Sequence, residues 1–333
     1  MAVLITGGAG FLGQRVARAL LKEWENAGPD PEQPVKLLLV DIKEPSERIP
    51  GAHYVVGNIS DASFLETVLT EEVASIFHFA AILSAHTESE YDLGMKVNFD
   101  ATRAIIERAR ALETRPKLIF TSSVAVFGIP PQETIDTNAL RERQLSFTEK
   151  TAVTPQSSYG AQKAMAELLV ADATRRGFVD GRAVRLPTVV VRPGKPARAA
   201  SSFASGVIRE PLQGQPSVCP VDPDTPVWIQ SPRKVVENLI RAHNLPRSTG
   251  PVVVTLPGLS VTVREMINAV VWAKGRSDLV RFERQPEVER IFCSWPGRID
   301  TPAASSLGFE ADESIEEVIR AFIEVDLEMP TNP

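Results

Sequence analysis

A glycine-rich stretch near the start of the chain, TGGAGFLG at residues 6–13, constrains the fold more than any other feature. It follows the apolar run AVLI and places Gly7, Gly10 and Gly13 three residues apart. At a strand-to-helix turn, the first glycine makes the turn, the second lets the backbone approach a pyrophosphate, and the third lets the helix pack on the sheet. The helix N-terminus then offers free N–H groups to phosphates. The stretch therefore predicts a nucleotide-binding unit.

The chain continues this alternation of apolar runs and amphipathic segments. Near-continuous β-branched and leucine runs indicate strands that are buried on both faces, and the helices between them indicate a parallel, doubly wound sheet. Strands are predicted at 2–6, 36–41, 53–59, 74–81, 116–123, 182–191 and 251–256. Helices are predicted at 11–25, 61–71, 93–112, 157–176, 232–244, 260–274 and 313–328. The predicted fold class is α/β, of the Rossmann type.

Two units are expected along the chain. Residues 1–190 are predicted to form the dinucleotide-binding domain, and residues 226–256 are expected to rejoin its sheet. Residues 191–225 and 257–330 are predicted to form a smaller C-terminal lobe that binds the substrate. The first part of this lobe is rich in proline, which is typical of irregular segments.

An acidic residue at the end of the second strand indicates which dinucleotide binds. Asp41 stands where a carboxylate accepts hydrogen bonds from the adenosine ribose diol, and it would repel a 2′-phosphate. NAD is therefore favoured over NADP, although Lys43 nearby weakens the preference. Residues after the third and fourth strands are expected to complete the cofactor site: Asn58, Ile59, Ala80 and Ala81.

Charge and composition exclude several classes of partner. The net charge is −6 and the isoelectric point is near 5.5, without a basic stripe, which argues against nucleic acid. There is no apolar run long enough for a membrane span and no leader-like N-terminus. Cys219 and Cys293 are far apart and lack metal-ligand spacing, as expected in a reducing compartment. We expect a cytoplasmic protein with a small-molecule substrate, and no metal, nucleic acid or membrane partner.

Three residues form a candidate catalytic set. Tyr159 and Lys163, in SSYGAQKAMAE, lie four residues apart and so share one helical face. An ammonium held close to a tyrosine favours the phenolate and is expected to lower its pKa, so that it can take a proton from an alcohol while hydride leaves for a nicotinamide. Ser123 ends the fifth strand at the same edge of the sheet, where its hydroxyl can bind the reacting oxygen.

These motifs, in this order, resemble the extended short-chain dehydrogenase/reductase family, which includes nucleotide-sugar epimerases and dehydratases. TGGAGFLG, Asp41, HFAA, TSSVAVFG and YGAQK carry the resemblance, which is specific over about residues 1–195. It implies catalysis by Ser123, Tyr159 and Lys163, and a homodimer built on the helices near 93–112 and 157–176. The full set of expected cofactor-binding residues is Gly7, Gly10, Phe11, Leu12, Gly13, Asp41, Asn58, Ile59, Ala80, Ala81, Asn98, Tyr159, Lys163, Pro187 and Thr188.

The sequence departs from the family pattern at two places. The family usually has Asp where Asn58 stands, so the hydrogen bonds to adenine are expected to differ, although the amide oxygen of Asn58 can still accept one. Dehydratases of the family carry an Asp–Glu pair directly after the catalytic serine, whereas Val124 and Ala125 stand here, which argues against a dehydratase.

The second half of the chain bears on the substrate. RLPTVVVRPGKPARAASSFASGVIREPLQGQ and WIQSPRKVV are similar to the branch of the family that oxidises D-erythronate, a four-carbon sugar acid, with NAD. Ile229 and Gln230 depart from that branch, which has His and Ala there. An arginine fork binds a carboxylate through two hydrogen bonds, but cations would serve a nucleotide diphosphate equally well. The expected substrate-binding residues are Ser84, Ser123, Arg192, Lys195, Arg198 and Arg233.

The predicted function is the NAD-dependent oxidation of a secondary hydroxyl of a small sugar acid by a Ser-Tyr-Lys mechanism. Three alternatives stay open. One is a nucleotide-sugar epimerase that retains its NAD, and another is a reductase of a different, bulkier carbonyl substrate. The third is an NAD sensor without chemistry, which the presence of both Tyr159 and Lys163 disfavours.

Overall fold

A seven-stranded parallel sheet forms the centre of the fold. The computed structural model describes residues 1–28, 35–129, 142–194, 199–247 and 250–327. The seven strands are Ala2–Thr6 (β1), Lys36–Asp41 (β2), Ala52–Val56 (β3), Val73–His78 (β4), Lys117–Ser123 (β5), Asp180–Leu186 (β7) and Val253–Thr255 (β11). Across the sheet their order is β11-β7-β5-β4-β1-β2-β3, and every neighbouring pair is parallel. The predicted Rossmann-type doubly wound sheet is confirmed.

Helices cover both faces of this sheet. Phe11–Ala27 (α1) and Pro232–Asn244 (α8) bury apolar side chains against one face. Ala62–Val68 (α2), Ala101–Arg110 (α5) and Ser158–Arg175 (α6) do the same on the other. Burial on both faces explains why the strands have continuous apolar runs instead of alternating polar and apolar residues.

A second group of elements forms its own apolar core beyond the sheet. Pro226–Gln230 (β10) pairs in parallel with Thr188–Val189 (β8) and antiparallel with Leu259–Thr262 (β12). The further strands are Phe147–Thr148 (β6), Ser217–Cys219 (β9), Val280–Phe282 (β13) and Ile299–Asp300 (β14). The helices not yet named, only some of which belong to this second core, are Ser84–Ser89 (α3), Tyr91–Gly94 (α4), Ser202–Leu212 (α7), Val263–Trp272 (α9), Pro286–Phe292 (α10), Pro302–Ser306 (α11) and Ile315–Phe322 (α12).

Two predicted elements differ from the structure. Within the predicted helix at 93–112, Met95–Asp100 has π-helical hydrogen bonds, which separate α4 from α5. The predicted strand at 182–191 is broken at Pro187, because proline has no N–H to donate to a neighbouring strand. Of the predicted segment 226–256, β11 lies at the edge of the central sheet, whereas β10 lies in the second sheet.

The turn between β1 and α1 can be made only by glycine at two positions. Gly7 has a φ of 69°, in the left-handed region. A Cβ on Gly13 would lie 2.3 Å from the carbonyl oxygen of Gly7. The N-terminus of α1 can therefore approach the end of β1 closely. No helix within the described ranges is both long enough and apolar enough to cross a membrane.

Candidate active site

A cavity of about 810 Å³ lies at the carboxyl ends of the central strands. The loops after β1, β2, β3 and β4 line one part of it. The end of β5, the first turns of α6 and the segment after β7 line the middle, and α7 together with Trp295 lines the rest. In doubly wound folds this edge of the sheet is where ligands bind.

The expected cofactor-binding residues lie together in this cavity, with Asn98 the exception. At the start of α1, Gly10 provides no side-chain cap, so the first N–H groups of the helix are open to a phosphate. Asp41 Oδ2 accepts a hydrogen bond of 3.0 Å from the Ala9 backbone N–H, which fixes the carboxylate beside the glycine turn. The cradle that only Gly7 and Gly13 permit, together with this carboxylate, fits a dinucleotide.

The two asparagines of the expected cofactor set have different placements. Asn98 is buried under its wall and does not line it: its side chain accepts from the Ile82 N–H at 2.7 Å and donates to the Ile82 carbonyl at 3.0 Å. Asn98 thus holds the loop after β4. Asn58 lines the cavity, and its Oδ1 accepts the Ser60 N–H at 2.9 Å, which fixes the side chain after β3.

The candidate catalytic residues line the middle of the cavity. Lys163 Nζ donates to the Thr121 carbonyl at 2.8 Å and lies 5.7 Å from the centre of the Tyr159 ring. Ser123 Oγ accepts the Ala125 N–H at 3.1 Å, which orients the serine at the end of β5. Tyr159 and Lys163 therefore lie close together on one face of α6, and Ser123 at the end of β5 lines the same cavity.

Burial is the largest cause of the pKa shifts of Tyr159 and Lys163. It raises the pKa of Tyr159 to about 12, against the opposing effect of the Arg192 cation. It lowers the pKa of Lys163 to about 7, against the opposing effect of the Glu167 carboxylate. The sequence-based expectation of a lowered tyrosine pKa has the opposite direction, because it considered the neighbouring charge and could not include desolvation.

Near these residues lies an arginine that has no side-chain partner in the described part of the chain. Arg192 lines the cavity, and its guanidinium has no hydrogen bond or ion pair within the described residues. Burial and the neighbouring Arg209 lower the pKa of Arg192, while Tyr159 raises it. Arg209 differs, because it donates to the Arg192 carbonyl at 2.6 Å and pairs with Glu210 at 2.5 Å. Arg192 is thus a cation beside Tyr159 that a ligand anion can neutralise.

The other expected substrate-binding residues have different placements. Ser84 lines the cavity, but its Oγ accepts the Ala200 N–H at 3.1 Å and so holds the segment before α7. Arg233 lies at the start of α8, outside the lining, and pairs with Glu317. Lys195 and Arg198 lie outside the described residues.

Several lining residues lie outside the set of expected site residues. They are His86 on α3, Ser201, Ser202, Ser205 and Arg209 on or beside α7, and Trp295 after α10. The serines stand in SSFASG beside the cations that were singled out, which was an available signal. Trp295 has no such signal, because only the packing of the second core brings it to the cavity.

Comparison with known proteins agrees with this geometry. Residues 3–228 match the NAD dependent epimerase/dehydratase family. A D-erythronate dehydrogenase from Cupriavidus necator is 46% identical over 97% of this chain and 98% of its own length. A D-erythronate dehydrogenase from Haemophilus influenzae is 44% identical over 98% of this chain and 100% of its own length.

A solved structure is similar over nearly the whole chain. The nucleoside-diphosphate-sugar epimerase from Agrobacterium tumefaciens superposes with a TM-score of 0.83 at 35% identity, covering 98% of this chain and 94% of that one. Fold, cavity and relatives lead to one conclusion. The chain belongs to the NAD dependent epimerase/dehydratase family and is an oxidoreductase with NAD as its cofactor.

Proposed function

We propose that the protein is a dehydrogenase that oxidises a secondary hydroxyl of a small sugar acid, D-erythronate or a close relative. Arg192 carries this proposal, because its guanidinium, which has no partner among the described residues, lines the same cavity as Ser123 and Tyr159. A carboxylate close to the reacting hydroxyl would neutralise that cation through two parallel hydrogen bonds. The names of the two relatives, D-erythronate dehydrogenase, support the same substrate class.

The residues around the glycine turn would hold NAD, with the pyrophosphate at the N-terminus of α1 and the adenosine ribose at Asp41. Pro187 and Thr188 line the cavity close to the candidate catalytic residues, at the end where the nicotinamide would lie. Bound NAD supplies the acceptor for the hydride. The protein must then position the alcohol and remove its proton.

In the proposed reaction, Ser123 donates a hydrogen bond to the oxygen of the reacting hydroxyl and holds it beside Tyr159. The Tyr159 phenolate takes the hydroxyl proton while the C–H electron pair leaves as hydride, so that the alcohol carbon becomes a ketone. The Lys163 ammonium stabilises the phenolate before the transfer. Arg192 fixes the carboxylate end, which sets which hydroxyl reaches Tyr159.

The acidity of the pair predicts a pH profile. With pKa values of about 7 for Lys163 and about 12 for Tyr159, the two residues hold one proton between them above pH 7. Catalysis needs that proton on Lys163, so that Tyr159 is a phenolate. Below pH 7 both residues are protonated, and Tyr159 then cannot act as the base. We expect kcat/KM at saturating NAD to rise about tenfold per pH unit up to about pH 7 and to be flat above it. A rate that does not change between about pH 6 and 7 would contradict this scheme.

The substrate proposal is tested by NADH formation. The purified protein is incubated with NAD and a panel of hydroxy acids: D-erythronate, L-erythronate, D-threonate, glycerate and L-threonine. We expect D-erythronate or a stereoisomer of it to give the highest kcat/KM. The neutral polyol erythritol is the matched control, since it keeps the hydroxyls and lacks the carboxylate. Absence of NADH with every acid would refute the dehydrogenase.

An epimerase is the second candidate, favoured by the similarity to the epimerase from Agrobacterium tumefaciens. An epimerase returns the hydride to its substrate and yields no net NADH. Incubation with nucleotide sugars, followed by separation of the sugar epimers, distinguishes it from the proposed dehydrogenase.

A further inference from the structure

A buried ion pair lies one helical turn from the catalytic lysine. Glu167, four residues after Lys163 on α6, is 3% exposed. Arg185 on β7 donates to both of its oxygens, from Nε at 2.9 Å and from Nη2 at 2.7 Å. The hydroxyl of Ser122 donates a third hydrogen bond to the same carboxylate. These three hydrogen bonds fix the position of the Glu167 carboxylate.

These hydrogen bonds connect the elements that carry the catalytic residues. Ser122 directly precedes Ser123 at the end of β5, and Glu167 shares α6 with Lys163. The Arg185 guanidinium lies over the Phe127 ring, 4.7 Å from its centre, and this contact restrains the arginine further. The carboxylate therefore joins the strand end and the helix whose relative position sets the geometry of the site.

The groups around Lys163 leave Glu167 as the anion that acts on it. From β4, His78 stays neutral, since burial and Lys163 lower its pKa to about 3. From β5, the Thr121 carbonyl and the Phe120 ring contact the ammonium without net charge. Within the described residues, Glu167 is the group that raises the pKa of Lys163.

The remaining charges near Lys163 are its own helix neighbour Tyr159 and two arginines. Arg185 is paired with Glu167, and Arg192 acts on Tyr159 from the segment after β8. None of these supplies a second negative charge to Lys163 before Tyr159 itself ionises.

We infer that Glu167 is a positioning residue, whose charge keeps the shared proton on Lys163 and away from Tyr159. This inference rests on the proposed Ser-Tyr-Lys reaction. Without the carboxylate, Lys163 loses its proton more readily, and the productive pairing of ammonium with phenolate becomes rarer. Two quantities report this effect: the pKa of Lys163 and the population of the ammonium–phenolate pair. A change of one unit in the pKa of Lys163 changes that population tenfold.

The inference is tested with Glu167→Gln. We expect the acid limb of kcat/KM to move from about pH 7 to about pH 6, and the plateau above it to fall about tenfold. Glu167→Asp keeps the charge and should keep the limb near its original pH. Asp172→Asn is the matched control, because it removes an exposed carboxylate that pairs with Arg175 on the same helix. It should change neither quantity.

A direct titration makes the test independent of activity. In protein labelled with ¹³C at lysine Cε, the Lys163 resonance is assigned by its loss in Lys163→Met and followed against pH. We expect its midpoint near pH 7 in the unchanged protein and about one pH unit lower in Glu167→Gln. An unchanged midpoint and acid limb would overturn the inference.

Two further experiments cover the cases in which the Glu167→Gln variant does not fold or the proposed function is wrong. If Glu167→Gln does not fold, because Arg185 is left buried and unpaired, the double variant Glu167→Met/Arg185→Leu removes both charges and is expected to shift the limb in the same direction. If the unchanged protein forms no NADH from any acid, the proposed function fails. The Lys163 titration then still decides whether Glu167 controls that proton.

Discussion

Replacing Tyr159 with phenylalanine is expected to lower kcat for NADH formation by about 10²- to 10⁴-fold, the usual contribution of a positioned general base. The change removes one oxygen atom from a partly buried ring that packs against the second core, so the fold should be preserved. NAD affinity should change by no more than about threefold, because the glycine turn and Asp41 are untouched. Stopped-flow absorbance of NADH and calorimetric NAD titration measure the two quantities.

Tyr91→Phe is the control for this prediction. Tyr91 is 57% exposed and does not line the cavity, so the same chemical change there should leave kcat unaltered. Turnover in Tyr159→Phe above about a tenth of the original rate would show that another group takes the proton.

The second large effect is expected at Arg192. Arg192→Gln should lower kcat/KM for the sugar acid by about 30-fold or more, since losing one partner of a desolvated charge pair costs about 2 kcal/mol or more. Most of the loss should appear in KM, because the guanidinium binds the carboxylate in the ground state as well. Arg192→Lys keeps the charge but not the fork, and we expect an intermediate loss. Initial rates over a range of acid concentrations give both constants.

Arg233→Gln provides the comparison for Arg192. It removes an arginine from the start of α8, where the side chain pairs with Glu317 outside the cavity. Its kcat and KM should stay within about twofold of the original values. Equal losses in the two variants would refute a specific role for Arg192.

The cofactor end of the site was predictable from the sequence because its determinants are local. The glycine spacing needs only the β1 turn and the start of α1, and Asp41 needs only the end of the next strand. The grouping of Ser123 with Tyr159 and Lys163 needed one further rule, that parallel strands end at the same edge.

The substrate end was less predictable, because its contacts join distant segments. Glu317 takes Arg233 away from the site across 84 residues. The Ala200 N–H engages Ser84 from 116 residues away. Likewise, the high pKa of Tyr159 comes from burial under tertiary packing, which no local spacing reports.

Elements from two separate apolar cores line the cavity, so the substrate end and the cofactor end of the site can evolve separately. Ser202 and Ser205 lie on α7, whose apolar side packs in the second core, while the glycine turn belongs to the central sheet. Substitutions on α7 can therefore retarget the enzyme to another hydroxy acid without disturbing the hydride acceptor's site. Descendants of this enzyme can therefore change their substrate while they keep NAD as the cofactor.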